Sequence, residues 1–467
     1  MASSERRFGR AVIVGGSIAG IVSARVLSDH FEKVTVIERD PRPEGPESSR
    51  RGAPQARHAH VALEPVVRSL RRLFPGVIEQ LDGAFCPDFA SAMSWYHYGG
   101  WKPRFETDIE TLLCTRAFLE WHVRQRVEAL PDVEIRYEHV VEDLCADAGR
   151  GRVTGMRVKG AGGEEVLDAD LVLDAAGRGS RAPRWLDALG YGRPEEEKVE
   201  FDLAYASRLY ERPLDVGVDW RVLIVYSRPP GWRSGMVQEV EGGRWLVSLN
   251  GSFGDNPPAD DEGFLAFARS LPVPELYEAI KDAKPIAAPA MHKVPSSRWF
   301  HYERMRRLPD SFLLLGDSVC VLNPIYGQGM TIALQSADAL GESLASLRGA
   351  EDLRGLPRAF QRKLSGVVAP AWMLSTTMDL AFSEAKGRRP PGIGALQWML
   401  LNLIDMTSQN ERACRLFYEV LHMRRGPFSL AHPAMLLPLL SYSAKSLYTP
   451  LEARVNGTAM PRAPRRA

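Results

Sequence analysis

The sequence predicts an α/β protein in which a parallel sheet carries an inserted antiparallel sheet and is followed by a helical region. Three observations predict this class. A buried strand at residues 12–14 runs into a glycine-rich turn and a helix. A second strand, glycine-rich turn and helix begin at residue 313. Between them, residues 201–298 alternate in the way that is typical of antiparallel strands, with one helix from about Asp261 to Ser270.

The first turn has the spacing of a dinucleotide-binding turn. It reads Gly15-Gly16-Ser17-Ile18-Ala19-Gly20, and Glu38 ends the next predicted strand, 23 positions after Gly15. Such a turn lets backbone N–H groups face a pyrophosphate, and an acid at this distance contacts a ribose hydroxyl. Ser17 replaces the middle glycine of the usual pattern and is small enough for close backbone approach. The turn therefore predicts a Rossmann-like domain.

The second glycine-rich stretch predicts the other half of the same cofactor site. Leu313-Leu314-Leu315-Gly316-Asp317-Ser318 reads as a strand that ends in a carboxylate, and Gly327-Gln328-Gly329-Met330 opens a helix. The carboxylate can accept hydrogen bonds from sugar-alcohol hydroxyls, and the helix N-terminus can stabilise negative charge on a flavin ring. Together the two stretches predict an extended FAD.

Composition narrows the function class. The chain has 467 residues with 59 Lys and Arg against 58 Asp and Glu, so no global charge favours nucleic acid. No window reaches the ~18 apolar residues of a membrane span, and no apolar signal region precedes the first strand. The cysteines are scattered, which fits a reducing cytoplasm and predicts no metal site: they are Cys86, Cys114, Cys145, Cys320 and Cys414.

These patterns divide the chain into three parts. The FAD-binding domain is expected at residues 1–90, 110–200 and 299–347, and the substrate-binding sheet at 91–109 and 201–298. The helical region is expected at 348–467 and ends in a basic, disordered tail from Met460. The apolar stretch Leu436 to Leu451 is expected to pack against the FAD domain, with weak attachment to a membrane surface as the alternative.

Four stretches carry a resemblance to a known family. They are Gly52-Ala53-Pro54-Gln55-Ala56-Arg57-His58-Ala59-His60, Gly177-Arg178-Gly179-Ser180, Pro257-Pro258-Ala259-Asp260-Asp261-Glu262-Gly263-Phe264 and Asn323-Pro324-Ile325-Tyr326-Gly327-Gln328-Gly329-Met330. Over residues 10–345 the chain resembles the class A-type FAD-dependent monooxygenases, the aromatic hydroxylase and squalene epoxidase group. Within that group it resembles the bacterial epoxidases that act on polyene precursors of polyether ionophores.

The resemblance implies an FAD-binding domain of the glutathione-reductase type. It also implies insertion of one oxygen atom from O₂, through a C4a-hydroperoxyflavin, into an alkene of an apolar polyketide or terpenoid in secondary metabolism. Arg116 would reach the pyrophosphate or ribityl chain, or be a surface charge, and Val141 would contact adenine through its backbone. The residues expected to bind FAD are Gly15, Gly16, Ser17, Ile18, Ala19, Gly20, Glu38, Arg39, Gln55, Arg116, Val141, Gly316, Asp317, Pro324, Gly327, Gln328, Gly329 and Met330.

For chemistry on a flavin, the protein must supply a pocket that excludes water, an orientation for the substrate and a proton source, but no nucleophile. His58, His60 and Tyr326 are the candidates near the ring. The alternative for the histidines is hydrogen bonding within their loop, and they lack the third ligand that a metal site needs. Three aromatic residues line an apolar pocket or belong to the plain core: Trp95, Tyr98 and Trp101.

The electron source and the reaction type stay open on the sequence. Aromatic hydroxylases carry an Asp-Gly pair that helps to place NAD(P)H, but Ala176 precedes Gly177 here. NAD(P)H therefore acts directly or through a partner flavin reductase. The alternatives to epoxidation are hydroxylation of an aromatic or polyketide ring, and reduction or desaturation of C–C bonds as in prenyl reductases. A non-enzymatic flavoprotein scaffold is a third class, and the Trp-x-Trp-x-x-Pro signature of flavin-dependent halogenases is absent.

Overall fold

The computed structural model describes residues 8–48, 50–213, 217–347, 353–432, 437–442 and 460–461. The predicted tail beyond residue 461 and most of the apolar stretch at 436–451 lie outside these ranges. Within these ranges, no helix is both long enough and apolar enough to cross a membrane.

The strands of the described residues form four sheets. In chain order they are β1 (Phe8–Val14), β2 (Phe31–Ile37), β3 (Val61–Ala62), β4 (Phe85–Cys86), β5 (Met93–His97), β6 (Gly100–Trp101), β7 (Thr111–Leu113), β8 (Val133–Arg136), β9 (Val140–Ala146), β10 (Val153–Gly160), β11 (Gly163–Asp168), β12 (Leu171–Asp174), β13 (Glu195–Glu211), β14 (Val222–Tyr226), β15 (Ser234–Val240), β16 (Arg244–Gly251), β17 (Ala290–His301), β18 (Phe312–Leu314), β19 (Cys320–Val321) and β20 (Lys386–Gly387).

The helices connect the strands and build the C-terminal part of the chain. In order they are α1 (Ile18–Ser28), α2 (Glu64–Leu73), α3 (Val77–Gln80), α4 (Phe89–Ala92), α5 (Arg116–Glu128), α6 (Ala182–Ala188), α7 (Asp261–Arg269), α8 (Glu275–Ile280), α9 (Gly329–Ala345), α10 (Leu356–Asp379), α11 (Ile393–Thr407) and α12 (Glu411–Leu421).

A five-stranded parallel sheet brings the two glycine-rich turns together. Its order is β18-β12-β1-β2-β8, and every pair in it is parallel. The strands are short apolar runs because both faces are covered, and all of β12 and β18 is buried. β1 and β18 each end in one of the turns, so the turns meet at the carboxyl edge of the sheet. The predicted Rossmann-like parallel sheet is confirmed.

The inserted sheet is mainly antiparallel, as predicted, and runs in the order β19-β17-β13-β16-β15-β14-β5-β6. One face packs on α7 and α8 through a core that includes Trp245, Phe264 and Leu276. The sequence predicted α7 but missed α8, whose six residues are too few to show a helical period. The long strands β13 and β17 pair from Glu195 to Ser207, and their residues Val199 and Trp299 belong to the core of the parallel sheet.

The C-terminal helix α10 spans two cores. Its first half, including Phe360 and Leu364, packs into the core of the parallel sheet. Near its end, Met378 packs against α11 and α12, in a cluster with Leu403 and Leu416. The helix therefore carries its last residue, Asp379, into the space between the sheets and the C-terminal helices.

Thr115 caps the N-terminus of α5 and links it to Glu241, which lies between β15 and β16 of the inserted sheet. Its hydroxyl accepts a hydrogen bond from the N–H of Phe118 at 3.2 Å and donates to Glu241 at 2.7 Å. We expect Thr115→Ala to lower the free energy of unfolding by about 1–2 kcal/mol, the usual cost of a lost N-cap. Thr115→Ser keeps both bonds and should stay close to the wild type in urea denaturation. Equal losses in both variants would contradict this role.

Candidate active site

One large cavity lies between the parallel sheet, the inserted sheet and the C-terminal helices. Its volume is about 1110 Å³. Its wall runs from the first glycine turn, through the second, to an apolar region formed by the inserted sheet and α10–α12. Residues of that apolar region include Phe89, Met93, Trp95, Ile224, Met236, Leu374, Met378, Leu403 and Phe417.

The first turn depends on two glycines that tolerate no side chain. Gly15 has φ +95°, and a Cβ there would lie 2.6 Å from the carbonyl oxygen of Ala175. A Cβ on Gly20 would lie only 1.8 Å from the carbonyl oxygen of Gly15. No side chain caps the N-terminus of α1, although Ser17 stands at the cap position. The N–H groups at this helix end therefore fit the pyrophosphate of a dinucleotide.

A buried ionic network surrounds this turn. The carboxylate of Glu38 accepts hydrogen bonds from the N–H of Gly16 at 3.0 Å and from Arg50 at 2.9 Å. Arg50 also pairs with Glu120, which in turn pairs with Arg116 at 3.3 Å. Arg116 lines the cavity and donates to the hydroxyl of Ser17 at 2.9 Å. Glu38 itself does not line the cavity, so its contact with ribose remains a prediction.

The second turn presents backbone and carboxylate to the same cavity. Asp317 follows Gly316, which has φ +61°, and burial raises the pKa of the Asp317 carboxyl while Arg116 and Arg178 partly offset this. Gly327 has φ +68° and ends a short 3-10 turn. The N-terminus of α9 has no side-chain cap, and its first residues, Gly329 and Met330, line the cavity. This turn fits the ribityl chain and the ring edge of a flavin.

Most of the predicted FAD-binding residues lie on the cavity wall. Gly15, Gly16, Gly20 and Gly316 are not on it but shape the turns. Val141 is buried near the start of β9 and does not line the cavity. The predicted residues that line it are Ser17, Ile18, Ala19, Arg39, Gln55, Arg116, Asp317, Pro324, Gly327, Gln328, Gly329 and Met330.

The structure separates the three predicted pocket aromatic residues into pocket and core. Trp95 and Tyr98 line the cavity, but Trp101 lies in the core on the far side of the sheet with Trp220 and Trp245. Tyr96 pairs with Trp101 across the β5–β6 hairpin, so these two side chains share a face. The reversal of the chain between β5 and β6 therefore puts Trp101 opposite to Trp95.

The two candidate histidines lie on the cavity wall and are held by hydrogen bonds. Nδ1 of His58 contacts the hydroxyl of Ser207 at 2.7 Å, and the ring stacks on His292 at 5.5 Å between centroids. Nδ1 of His60 donates to the carbonyl oxygen of His58 at 2.7 Å. Burial lowers the pKa of His58 to about 3 and that of His60 to about 4. Both rings are therefore neutral and positioned rather than charged at neutral pH.

Sequence reasoning missed Asp379. It is 3% exposed, lines the cavity and contacts the second turn, where Oδ1 accepts hydrogen bonds from Asn323 at 2.8 Å and Tyr326 at 2.9 Å. Burial raises the pKa of its carboxyl to about 7. No motif marks this residue, because it ends an ordinary helix 50 positions beyond the second turn's Gly329. Tyr226, also missed, donates from β14 to the carbonyl of Ile325 at 3.0 Å and fixes the same turn.

Comparisons with solved structures define the class of fold. The flavin-dependent brominase Bmp2 superimposes with a TM-score of 0.64 at 16% identity, covering 94% of this chain and 100% of the brominase. The p-nitrophenol 4-monooxygenase PnpA from Pseudomonas putida gives 0.61 at 18% identity, covering 90% and 99%. The chain therefore has the fold of the flavin-dependent monooxygenases, with both glycine-rich turns at its cavity.

A curated relative shows the family. Protein Rv3254 of Mycobacterium tuberculosis is 32% identical over 394 residues, which is 82% of each chain. The chain belongs to the same family as that mycobacterial protein. A scan against protein-family models found no match.

Proposed function

We propose that this chain is an FAD-dependent monooxygenase that transfers one oxygen atom from O₂ to a largely apolar small molecule. The observation that carries the proposal is the continuous cavity, which has the dinucleotide-type turn and the second glycine-rich turn on one side and an apolar wall on the other. When bound, FAD supplies the oxygen-activating chemistry. The protein supplies binding, orientation, exclusion of water and control of protons.

Named residues would hold the cofactor. The free N–H groups at the start of α1 would bind the pyrophosphate, with the positive charge of Arg116 beside them. Asp317 would accept a hydrogen bond from a ribityl hydroxyl. The N–H groups of Gly329 and Met330 would stabilise negative charge on the ring edge, because they lie at a helix N-terminus.

The reaction that the sequence resemblance favours is epoxidation of an alkene in an apolar polyketide or terpenoid. The resemblance to polyether-type epoxidases and the apolar wall support it, since Met378, Leu403 and Phe417 would exclude water from such a substrate. Epoxidation needs no protein base to deprotonate the substrate.

Hydroxylation of a ring that bears a hydroxyl group is the second candidate. The observation that favours it is Asp379, a buried carboxyl on the cavity wall next to the second turn. Phenol hydroxylation benefits from a group that accepts the phenolic proton. PnpA, which shares the fold, is by name a monooxygenase of a nitrophenol.

For the electron supply we propose NAD(P)H acting through a separate flavin reductase. The carboxylate of Asp174 is fully used in hydrogen bonds within the protein. It accepts them from the hydroxyl of Ser180 at 2.6 Å, the hydroxyl of Ser318 at 3.0 Å and the N–H of Ala176 at 2.9 Å. Ala176 offers no carboxylate in its place. We expect slow flavin reduction by NAD(P)H alone and fast reduction when a reductase is added. Equally fast reduction without the reductase would contradict this.

The test of the function is FAD binding followed by oxygen labelling. The purified protein should show the absorption spectrum of bound FAD, and its reduced form should incorporate label from ¹⁸O₂ into a polyene or a phenolic substrate. Label in an epoxide supports the first candidate, and label in a ring hydroxyl supports the second. A changed product without label would indicate a reductase or desaturase, and failure to bind added FAD would refute the proposal.

A further inference from the structure

Three side chains on the cavity wall have polar atoms that the protein leaves unused. They are His58, His292 and Arg178, which all line the cavity. Among the described residues, nothing bonds to Nε2 of His58, to either ring nitrogen of His292 or to the guanidinium of Arg178. None of these atoms is sealed inside the protein, so each opens on the cavity. A ligand in the cavity can therefore reach them.

The hydrogen bonds behind His58 determine which of its ring nitrogens carries the proton. The N–H of Ala59 donates to the hydroxyl of Ser248 at 3.1 Å, and that hydroxyl pairs with Ser207. Ser207 in turn contacts Nδ1 of His58 at 2.7 Å. Within the described part of the chain, both hydroxyls find an acceptor only if Ser248 donates to Ser207 and Ser207 donates to Nδ1. The proton of the neutral ring therefore lies on Nε2, where His58 presents a fixed N–H donor to the cavity.

His292 and Arg178 place further donors beside this N–H. The ring of His292 stacks on His58 with 5.5 Å between centroids, and the ring of Tyr205 lies 5.3 Å from His58. Burial and the charge of Arg178 both lower the pKa of His292. Burial raises the pKa of Tyr205, and Arg178 opposes this increase. Arg178 therefore lies near both of the rings that contact His58.

Arg178 carries a positive charge that has no ionic partner among the residues described. Arg298 on β17 donates to its carbonyl oxygen at 3.1 Å, which fixes its backbone against the inserted sheet. Burial lowers the pKa of the guanidinium, and Asp317 partly offsets this without forming an ion pair. A guanidinium keeps its charge at any ordinary pH, so the lowered pKa means that this cation would gain from an anionic ligand.

We propose that His58, His292 and Arg178 bind a carboxylate of an otherwise apolar substrate. The two imidazole rings would donate to its oxygens, and Arg178 would supply the opposite charge. One cation beside two neutral rings matches a single negative charge, whereas a phosphate monoester carries about −1.5 to −2. The inference rests on the proposed function and gives the substrate a polar end, with the apolar wall of the cavity for the rest of the molecule.

The experiment compares naphthoate, acetonaphthone and isopropylnaphthalene, substituted at the same ring position. These probes offer a carboxylate, a neutral carbonyl and no acceptor, in a substituent of nearly the same shape. Binding to the FAD-loaded protein is measured by titration calorimetry. We expect naphthoate to bind about tenfold more tightly than acetonaphthone, the effect of a hydrogen bond to a charged group. Acetonaphthone should bind about fivefold more tightly than isopropylnaphthalene, the effect of a neutral hydrogen bond.

Two variants and a matched control separate the contributions. Arg178→Gln should remove only the preference for naphthoate over acetonaphthone. His58→Phe should weaken both carbonyl-bearing probes by about fivefold and leave isopropylnaphthalene unchanged. Arg181→Gln removes the same charge from a nearby residue that does not line the cavity, so all three affinities should stay within about twofold. A naphthoate preference that survives in Arg178→Gln would overturn the inference, as would an equal loss of FAD affinity in that variant.

Nitrogen NMR of labelled histidines tests the donor even if His58→Phe does not fold. We expect the proton of His58 on Nε2, with the signal assigned by its change in Ser207→Ala, and a proton on Nδ1 would contradict the proposed site. Displacement of naphthoate by NADP⁺ would assign the anion to a nucleotide and overturn the carboxylate assignment. A wild type that binds FAD and incorporates ¹⁸O but binds the three probes alike refutes this site alone, whereas failure to bind FAD refutes the proposed function.

Discussion

Gly20→Ala is expected to abolish FAD binding and to destabilise the parallel sheet domain strongly. The added Cβ would lie 1.8 Å from the carbonyl oxygen of Gly15 and 3.0 Å from its carbonyl carbon. Both neighbours are backbone atoms, so no side-chain rotation can relieve the clash. The turn must open, which removes the N–H groups from the pyrophosphate position. We expect a loss of about 3 kcal/mol or more in stability, as for other overpacked buried sites.

Gly394→Ala is the matched control for this variant. Gly394 also lies in a helix, α11, and a Cβ there meets nothing within 4 Å. Alanine should stabilise that position by up to about 1 kcal/mol. The measurement is thermal denaturation with and without added FAD, because a ligand that binds the folded state raises its melting temperature. A Gly20→Ala protein that FAD stabilises as much as the wild type would contradict the role of this turn.

The second large effect is a loss of stability in acid that depends on His422. Its ring is 0% exposed, and Nδ1 accepts a hydrogen bond from the N–H of Glu64 at 3.2 Å. The other nitrogen is buried without a partner among the described residues. Burial, with Arg424 nearby, lowers the pKa of His422 to about 3. Protonation would break the bond to Glu64 and bury an unpaired cation.

The sign follows from proton uptake. Below about pH 6.5 an unfolded histidine is protonated while folded His422 stays neutral, so the unfolded state binds more protons. The free energy of unfolding therefore decreases as the pH is lowered. The loss is about 1.4 kcal/mol per pH unit for each such histidine. His58 and His60 act in the same direction. Asp379 acts in the opposite direction between its ordinary value of 3.8 and about 7.

His422→Asn isolates one of these contributions. Asparagine can still accept the Glu64 bond but does not titrate, so the pH slope of stability should fall by about one proton. Urea denaturation at about pH 7 and about pH 5 measures it, and the shared contributions of Asp379, His58 and His60 cancel in the comparison. His432→Asn at an exposed position is the control. Slopes that are equal in the wild type and His422→Asn would show that His422 is not the cause.

The sequence predicted the features that local rules determine. The parallel sheet follows from short apolar strands, and both turns follow from glycines at positions where side chains clash or where φ is positive. These features need only a few consecutive residues to be recognised.

Features that depend on tertiary packing could not be predicted. Asp379 contacts the second turn because α10 ends there, and nothing in its own neighbourhood of the chain shows that contact. The choice between pocket and core for Trp101 could not be made from the sequence, because the face it occupies depends on the hairpin between β5 and β6. The neutral state of His58 depends on its burial and on the nearby His292, 234 positions away in the sequence.

The division of the cavity wall between cofactor turns and C-terminal helices has a consequence for engineering and divergence. Leu374, Leu403 and Phe417 shape the far end of the cavity and belong to none of the strands that form the glycine turns. Their replacement would change which molecules are accepted while the redox half of the protein stays intact. A library confined to Leu374, Leu403 and Phe417 is therefore a route to new substrates that leaves the residues of both glycine-rich turns, and Asp379 which contacts the second turn, unchanged.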